Sequence, residues 1–420
     1  MAAELLTREQ SSAVAAEKGD GLRYVARQPI LDLRGRVHGY ELLFRNGPEA
    51  VFRGDGDLAT RTMLDNTVIF GLERLTGGLT AFVNCTREAL ADSLVDVLPP
   101  SMFVLEILES LEPTAELVNA CRRLKGAGFR LALDDFTWKP GFDPLVEMAD
   151  YIKVDFTLSG ARERRELLKR LERVTVALIA EKIETQEEYT LAREEGFTLI
   201  QGYYFCRPQL VKNQKVPANQ LSYIEILRVL SADPVDLRKL TQLVKRDTSL
   251  TYRLLRLVNS PVSAMRQEVR SVEAAMLAIG VDGFRRVATL AITSELNASR
   301  QVELLRMAII RGRFCELAAG MCDLDPTEQY LLGLLSLLPA MMRIPMGELT
   351  PFLPLREEIR LALMSAEIPE GRPLEWLMSH EQGDWTACDE MAEAYHFDQI
   401  KLLNCYSDAV AWAESAFHLT

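Results

Sequence analysis

The sequence predicts a TIM-like α/β fold, a (β/α)8 barrel with one antiparallel strand, followed by an all-α helical domain. Short apolar runs alternate with segments of helical spacing through the first half, which favours a mainly parallel sheet. The first two runs are separated by only residues 32–36, so a hairpin is expected there. After Pro208 helical patterns replace strand patterns. We expect a mobile tail at 1–22, the barrel at 23–209, a linker at 210–220 and the helical domain at 221–420.

Eight apolar runs supply the predicted strands, at 24–31, 37–44, 79–84, 102–107, 129–135, 151–155, 175–183 and 198–205. The intervening helices are predicted at 58–75, 112–126, 161–174 and 186–196. Gly128 and Gly196 stand just ahead of a strand, where a helix is expected to have ended. In the second half, apolar residues share helical faces at 237, 240, 243 and 244 and again at 250, 254, 257 and 258.

Composition excludes several classes of protein. A net charge of −12 argues against non-specific nucleic-acid binding, because phosphate contacts need a basic surface. The seven cysteines are scattered without a CxxC, which indicates reduced thiols and neither disulfides nor a zinc site. The longest nearly apolar run, 331–342, contains Pro339 and is too short to span a bilayer. Residues 1–20 lack the apolar centre of a secretory signal, so we expect a cytoplasmic protein without a membrane segment.

Polar residues recur inside or at the ends of the predicted strands. In a (β/α) barrel such residues gather at one mouth, where the chemistry is found. Buried acids are costly without partners, so converging acids imply cations or bases among them. Oxygen ligands suit hard divalent cations. The residues concerned are Glu41, Asn84, Glu106, Asp134, Asp135, Lys153, Glu181, Glu184 and Gln201.

Two of these residues have structural alternatives. Asp135 could lie in a loop and cap the following helix. Lys153, inside the apolar run Tyr-Ile-Lys-Val-Asp, could form a structural ion pair with Asp135 or Asp155. In the functional interpretation its ammonium orients a metal-bound water and helps to deprotonate it.

The first half resembles an EAL domain, the family of cyclic di-GMP phosphodiesterases. The signature at 41–43 reads Glu-Leu-Leu instead of Glu-Ala-Leu, which keeps the acid. The resemblance is carried by eight segments in order: RQPI at 27–30, YELLFR at 40–45, FVN at 82–84, LE at 105–106, LDDF at 133–136, YIKVD at 151–155, IAEKIET at 179–185 and IQGYY at 200–204.

The resemblance implies a role for each matching residue. The residues that would bind Mg²⁺ or Mn²⁺ in a two-metal site are Glu41, Asn84, Glu106, Asp134, Asp135 and Glu181, with Asp134 bridging to the ion that Asp135 holds. Lys153 would contact the attacking water, Glu184 would brace the loop after Asp135, and Gln201 would hold the water or an adjacent ligand. Gln28, Leu43 and Arg45 would contact the nucleotide. The expected product is linear pGpG, formed by in-line attack on a phosphodiester clamped by two cations.

Two departures from the family leave alternatives open. The loop at 137–144 reads TWKPGFDP where active relatives have a Gly-Thr-Gly-Tyr-Ser-Ser sequence. Lys182 replaces the usual glycine and could pair with an acid of the site. A receptor that binds cyclic di-GMP without cleaving it is therefore an alternative. An enolase-type barrel that abstracts a proton is a further one, although such barrels normally follow a capping domain.

The segment 240–294 resembles an HDOD domain, a relative of the HD phosphohydrolases, and the order EAL then HDOD is similar to a bacterial signalling architecture. Its matching residues include KRDTSL at 245–250 and LLRLVNS at 254–260. A metal hydrolase of the HD type needs a His-Asp pair, whereas this chain reads LLSLL at 334–338. The resemblance implies a non-catalytic regulatory or protein-interaction module. The protein partner is unidentified, and a homodimer is the default expectation.

Overall fold

The structure is a computed structural model. It describes residues 23–46, 75–91, 94–206, 222–223, 225–226, 229, 235–259, 269–296, 302–350, 353, 355–364 and 368–417. The tail at 1–22, the linker at 210–220 and the helix predicted at 58–75, apart from its last residue, lie outside this part of the chain. The domain bounds therefore stay predictions.

The first half is a closed barrel whose strands follow one another in chain order. Strand β1 runs antiparallel to both neighbours, β2 and β8, and all other neighbouring pairs are parallel. The predicted fold class, with its one antiparallel strand, is confirmed. The strands are β1 (Arg23–Asp32), β2 (Val37–Asn46), β3 (Thr80–Cys85), β4 (Phe103–Ile107), β5 (Arg130–Leu133), β6 (Tyr151–Asp155), β7 (Ala177–Glu181) and β8 (Leu199–Gln201).

The last strand is shorter than the pattern at 198–205 predicts. It ends at Gln201 and is followed by a 3-10 turn, Tyr203–Cys206. Between them Gly202 has φ of 145°, and a Cβ there would lie 2.4 Å from the backbone nitrogen of Ile183. Only glycine allows this close approach, which packs the end of β8 against the chain that leaves β7.

Helices surround the barrel, and their ends follow local sequence rules. Thr185 begins one with a capping box, since its hydroxyl accepts from Glu188 N while the Glu188 carboxylate accepts from Thr185 N. Gly196 ends the same helix in the left-handed region, as predicted. These helices are α1 (Arg87–Ala91), α2 (Ala115–Gly126), α3 (Asp143–Met148), α4 (Ala161–Leu171) and α5 (Gln186–Glu195).

A small apolar cluster fills the barrel interior and fixes the level of the site. It takes side chains from seven strands, namely Ile30, Phe82, Val104, Ala132, Tyr151, Ile179 and Leu199. Because side chains alternate along a strand, residues two positions further towards the mouth also point inward. We call this cluster the interior floor, and the polar residues lie next to it on the side of the mouth.

The second half is helical, as predicted. Its helix α8 is broken at Gly280, where φ is 72°. Trp376 is fully buried and stacks on Phe314 at 5.7 Å between ring centroids. No helix in the described part of the chain is long and apolar enough to cross a bilayer. The helices are α6 (Leu237–Lys245), α7 (Thr248–Val258), α8 (Val272–Leu296), α9 (Val302–Ala318), α10 (Pro326–Leu335), α11 (Leu338–Met342), α12 (Met346–Leu349), α13 (Glu357–Met364), α14 (Arg372–Gln382), α15 (Trp385–Tyr395) and α16 (Gln399–Phe417).

Buried polar contacts join the two halves. The guanidinium of Arg27 on β1 contacts Glu414 Oε1 on α16 at 3.1 Å. Tyr40 on β2 donates its hydroxyl hydrogen to Glu303 Oε2 on α9 at 2.8 Å, and Arg306 pairs with both Glu303 and Glu414. These charged groups are buried, so the loss of any one partner would leave an uncompensated charge between the halves. The contacts therefore favour a single arrangement of the two halves.

Candidate functional site

The polar residues predicted at strand ends gather at one mouth of the barrel. Seven polar residues of this mouth stand two positions beyond a residue of the interior floor: Gln28 beyond Ile30 on the antiparallel strand, Asn84 beyond Phe82, Glu106 beyond Val104, Asp134 beyond Ala132, Lys153 beyond Tyr151, Glu181 beyond Ile179 and Gln201 beyond Leu199. Glu41 joins them from β2. Strand periodicity therefore places these side chains in one layer, the acid layer.

Lys153 is the centre of this layer. Its ammonium lies 3.2 Å from Glu41 Oε2, 2.8 Å from Glu106 Oε1, 2.8 Å from Asp134 Oδ1 and 2.9 Å from Glu181 Oε1. The Lys153 side chain is only 1% exposed. One buried cation thus contacts four carboxylates.

The structural alternative for Lys153, an ion pair with Asp135 or Asp155, is wrong. Strand β5 ends at Leu133, and Asp135 has a left-handed φ of 40°, so Asp134 is the acid that meets the ammonium. Asp155 instead accepts hydrogen bonds from Thr157 N at 2.6 Å and from the ammonium of Lys182. The alternative role of Asp135 as a helix cap is also wrong, since α3 begins at Asp143 and Phe142 is its N-cap.

Glu41 is held by three donors. Its Oε2 accepts from Gln201 Nε2 at 2.6 Å and from Lys153, and its Oε1 accepts from Asn84 Nδ2 at 3.1 Å. Burial raises the pKa of the Glu41 carboxyl, but the charge of Lys153 and these hydrogen bonds outweigh it, so the pKa lies below its ordinary value. Glu41 is therefore an ionised carboxylate with a fixed orientation.

The other acids of the layer are harder to ionise. Burial, followed by the charges of neighbouring carboxylates, raises the pKa of Glu106 well above its usual range. Burial raises the pKa of Glu181 to about 8 and also raises the pKa of Asp134, against the pull of Lys153. The pKa of Lys153 is raised well above normal, since its carboxylate neighbours outweigh the effect of burial. An additional cation would favour the ionised acids.

The oxygen atoms present fit a hard divalent cation. Carboxylate oxygens of Asp134, Asp135 and Glu181 lie within 4.8 Å of one another. Among the described residues, no donor reaches the buried Asn84 Oδ1 or Glu106 Oε2. Buried acceptors without donors are costly, and carboxylate and amide oxygens are ligands of such cations.

Lys182 places a second ammonium at the edge of the site. Its backbone has φ of 55°, a left-handed conformation unusual for a residue with a side chain. Its ammonium pairs with Asp155, and its charge lowers the pKa of Asp135, although burial leaves that pKa raised. Lys182 therefore faces one of the acids predicted to bind metal.

The unusual loop at 137–144 is packed against the barrel. Trp138 lies edge-on to Phe136 at 6.1 Å between ring centroids, and the guanidinium of Arg170 lies 5.1 Å from the Trp138 ring. Lys139 Nζ donates to Glu109 O at 3.3 Å. Trp138 thus connects the loop to α4 through Arg170.

The predicted nucleotide contacts lie next to the helical half. Gln28 Nε2 donates to Gln382 O at 2.9 Å and Glu381 O at 3.3 Å, at the end of α14. A Cβ on Gly383 would lie 2.7 Å from Leu43 Cδ1. Arg45 lies in β2, but its side chain is outside the description, and Glu184 is exposed at the edge of the mouth. Their roles in nucleotide binding and loop support stay predictions.

A cavity of about 980 Å³ lies above the acid layer. The barrel lines one side of it, through Glu41, Asp134, Asp135 and Lys153 among others, and the helical half lines the opposite side through α14. Sequence reasoning missed this second side. The pattern of a helix shows that one face is apolar, but it does not show which cavity another face lines.

The class of protein follows from the barrel, its acid layer and the helical half behind it: the chain belongs to the family of proteins in which an EAL domain is followed by an HDOD domain. Residues 82–208 match the EAL domain and residues 216–344 match the HDOD domain. The chain is 32% identical to YuxH of Bacillus subtilis over 93% of this chain and 98% of that protein. It is 31% identical to the cyclic di-GMP phosphodiesterase CdgJ of Vibrio cholerae over 93% of this chain and 92% of that protein.

Among solved structures, Klebsiella pneumoniae BlrP1 in a calcium and cyclic di-GMP complex is 24% identical, over 44% of this chain and 55% of that chain, with a TM-score of 0.37. The fold of this chain is established by its own strand pairing and does not depend on that similarity.

Proposed function

We propose that the barrel hydrolyses cyclic di-GMP to linear pGpG in a reaction that needs Mg²⁺ or Mn²⁺. The observation that carries the proposal is the convergence of Glu41, Glu106, Asp134 and Glu181 on the buried ammonium of Lys153. The similarity to a Vibrio cholerae cyclic di-GMP phosphodiesterase over nearly the full length supports the choice of substrate.

In the proposed reaction, water attacks phosphorus, the bond from phosphorus to the ribose 3′ oxygen breaks, and that oxygen leaves as a hydroxyl. The residues that would hold the divalent cations are Glu41, Asn84, Glu106, Asp134, Asp135 and Glu181. When bound, the cations lower the pKa of a water and stabilise charge on the phosphodiester. Lys153 Nζ orients the attacking water by donating to it and offsets the negative charge that develops on the phosphate oxygens. Gln201 keeps Glu41 in place through the hydrogen bond of 2.6 Å.

The helical half is proposed as a non-catalytic regulatory and protein-interaction module. The matched segment 216–344 contains no histidine, so it lacks the His-Asp pair of a metal hydrolase of the HD type. Its proposed partners are an unidentified protein and a second copy of this chain. The proposed compartment is the cytoplasm, in keeping with seven cysteines that are all free thiols.

A catalytically inactive receptor is the second candidate, and Lys182 is the observation that favours it. Its ammonium pairs with Asp155 and faces Asp135, which is predicted to hold one of the two cations. A fixed positive charge there opposes a second cation. Such a protein would bind cyclic di-GMP and leave it intact.

The test is hydrolysis of cyclic di-GMP by the full chain with Mg²⁺ or Mn²⁺, followed by chromatography of the nucleotides. We expect pGpG to form and Glu41→Gln to reduce kcat by at least about a thousandfold. Asp150→Asn, which alters the partly exposed pair with Lys125, is the control and should keep its activity. Calorimetry with Ca²⁺ measures binding separately. Binding without hydrolysis would establish the receptor, whereas neither binding nor hydrolysis would exclude both functions.

A further inference from the structure

One face of helix α14 looks into the cavity above the acid layer. Leu374, Met378 and Gln382 are spaced four residues apart, and Glu375 and Ser379 lie beside them on the same side of the helix. The opposite face belongs to the core, where Trp376 and Leu377 are fully buried. One face of the helix thus packs in the core of the helical half, and the other face lines the cavity.

Several contacts hold this face in position. The carboxylate of Glu381 accepts from Tyr203 OH at 2.9 Å and from Arg311 Nη2 at 2.7 Å. The carbonyls at the end of the helix accept from Gln28, whose own Oε1 accepts from Gln201 Nε2 at 3.1 Å. The end of α14 is therefore connected through two side chains to Glu41. These hydrogen bonds hold the cavity-lining face of α14 in a fixed position relative to the acid layer.

The residues on this wall suit a flat base with a polar edge. Met378 is 37% exposed and Met364, at the end of α13, is 60% exposed, although both are large and apolar. Thioether side chains make favourable contacts with aromatic rings and adapt to their shape. Ser379 and Gln382 bring a hydroxyl and an amide, which can both donate and accept hydrogen bonds.

The size of the cavity also exceeds what the reaction centre uses. Only the phosphodiester under attack needs to meet the acid layer, and a cyclic dinucleotide carries two bases away from it. The volume of about 980 Å³ is at the upper end of the usual range for ligand sites and can hold both bases.

We propose that α14 forms the second wall of the nucleotide pocket, with one guanine base packed on Met378 and Met364 and its edge hydrogen-bonded to Ser379 and Gln382. This inference rests on the proposed function. It makes the helical half a direct contributor to substrate binding, in addition to any regulatory role.

The experiment compares Met378→Ala and Gln382→Ala with wild type in the full chain. The dissociation constant for cyclic di-GMP is measured by calorimetry in Ca²⁺, and KM and kcat are measured in Mg²⁺. We expect each variant to raise the dissociation constant by about tenfold and KM in parallel, with kcat changed less than about threefold. The matched control is Leu361→Ala on α13, because Leu361 is 45% exposed and is not part of the cavity wall.

Each outcome decides the proposal, provided that the variants keep the wild-type melting temperature. Weaker binding only in the wall variants supports it. Unchanged binding shows that the base does not reach α14, and tighter binding shows that the helix obstructs the nucleotide, so either result overturns the proposal. Wild-type protein that neither binds nor hydrolyses cyclic di-GMP would instead refute the proposed function.

Hydrogen exchange provides a test that does not depend on a variant. Cyclic di-GMP with Ca²⁺ should slow exchange of the amides of 378–383 by at least about threefold relative to Ca²⁺ alone. An unchanged rate there, together with slower exchange in the loop after β5, would place the nucleotide on the barrel wall only and overturn the inference.

Discussion

Two residues with side chains adopt left-handed backbone conformations beside the acid layer, Asp135 with φ of 40° and Lys182 with φ of 55°. Each costs roughly 1 kcal/mol or more relative to an ordinary conformation. Lys182 directly follows Glu181, the last residue of β7, and Asp135 follows Asp134, the first residue after β5. The strain is thus concentrated where the chain turns its charged side chains towards the barrel mouth.

Lys182→Gly should strengthen binding of divalent cations. The substitution removes the ammonium that faces Asp135, and glycine adopts the left-handed conformation without strain. We expect about tenfold tighter Mn²⁺ binding by calorimetry, and a second bound ion if wild type binds only one. His396→Gly is the control, since His396 also has a left-handed φ, of 56°, at the end of α15. Equal Mn²⁺ affinity in wild type and Lys182→Gly would show that the ammonium does not compete with the cation.

Lys153→Met should destabilise the protein in the absence of divalent cations. Four carboxylates would lose the ammonium that contacts them, and removing one partner of a buried ionic cluster costs roughly 3–5 kcal/mol. Urea denaturation with chelator measures the loss, and added Mg²⁺ or Mn²⁺ should restore more stability to the variant than to wild type. A variant as stable as wild type in chelator would contradict the central role of this ammonium. Lys125→Met, at a partly exposed pair with Asp150, should lower stability by less than about 1 kcal/mol.

The sequence predicted the members of the acid layer better than their contacts. Glu41, Glu106, Asp134 and Glu181 were recognisable because each interrupts an apolar strand pattern. The structural alternative for Lys153, an ion pair with Asp135 or Asp155, was wrong. Barrel closure instead brings acids from four other places in the sequence to the same ammonium.

Helix α14 carries a buried histidine that limits stability in acid. Burial lowers the pKa of His380 to about 3, and its ring packs between Trp376 and Tyr406 at 5.0 and 4.4 Å between centroids. In the unfolded chain the imidazole takes up a proton below about pH 6.5, whereas in the folded protein it stays neutral down to about pH 3. The unfolded state therefore binds more protons in this window, and this group makes stability fall as the pH falls from about 6.5 towards 3.

His380→Phe should remove this part of the acid sensitivity. Between pH 7.5 and 5, we expect the free energy of unfolding to fall by roughly 2 kcal/mol less in the variant than in wild type. Urea denaturation at the two pH values measures the difference. Tyr406→Phe keeps the histidine and should retain the wild-type dependence. Equal falls in His380→Phe and wild type would mean that His380 is protonated in the folded protein.

At the scale of elements, long periodic segments were predictable and short ones were not. The pattern at 186–196 contains a capping box and a terminal glycine, and helix α5 has those limits to within one residue. Helices α1 and α3 have five and six residues, too few for a helical period to be read. The strand predicted at 129–135 is shorter in the structure, Arg130–Leu133, because Asp134 and Asp135 form a turn.

The whole molecule depends on the charged contacts between its halves. Arg27→Met leaves Glu414 with one partner fewer in a buried setting, so we expect a loss of roughly 3 kcal/mol in the free energy of unfolding. Arg123→Met, at an exposed pair with Asp96, should cost less than about 1 kcal/mol. Urea denaturation of both variants measures the two effects. Losses of equal size would indicate that the contact between the halves adds no stability of its own.

The contacts between the two halves could not be predicted from the sequence. Arg27, Tyr40, Glu303 and Glu414 each read as an ordinary residue of its own strand or helix. Their contacts join positions up to 387 residues apart, and a pattern read over a window of ten or twenty residues carries no information at that distance. The same reason explains why the cavity wall on α14 was missed.

Closure of the barrel by β1 and β8 has a consequence for synthesis of the chain. Ile30 pairs with Gln201, so the first strand lacks its second neighbour until about 170 further residues have been made. At ordinary ribosomal rates that interval lasts roughly nine to thirty-four seconds. Throughout it, β1 presents an open edge to other chains, the situation in which strands pair wrongly. The nascent protein is therefore most exposed to aggregation before the helical half is translated, and slower synthesis over 32–199 should lower its soluble yield.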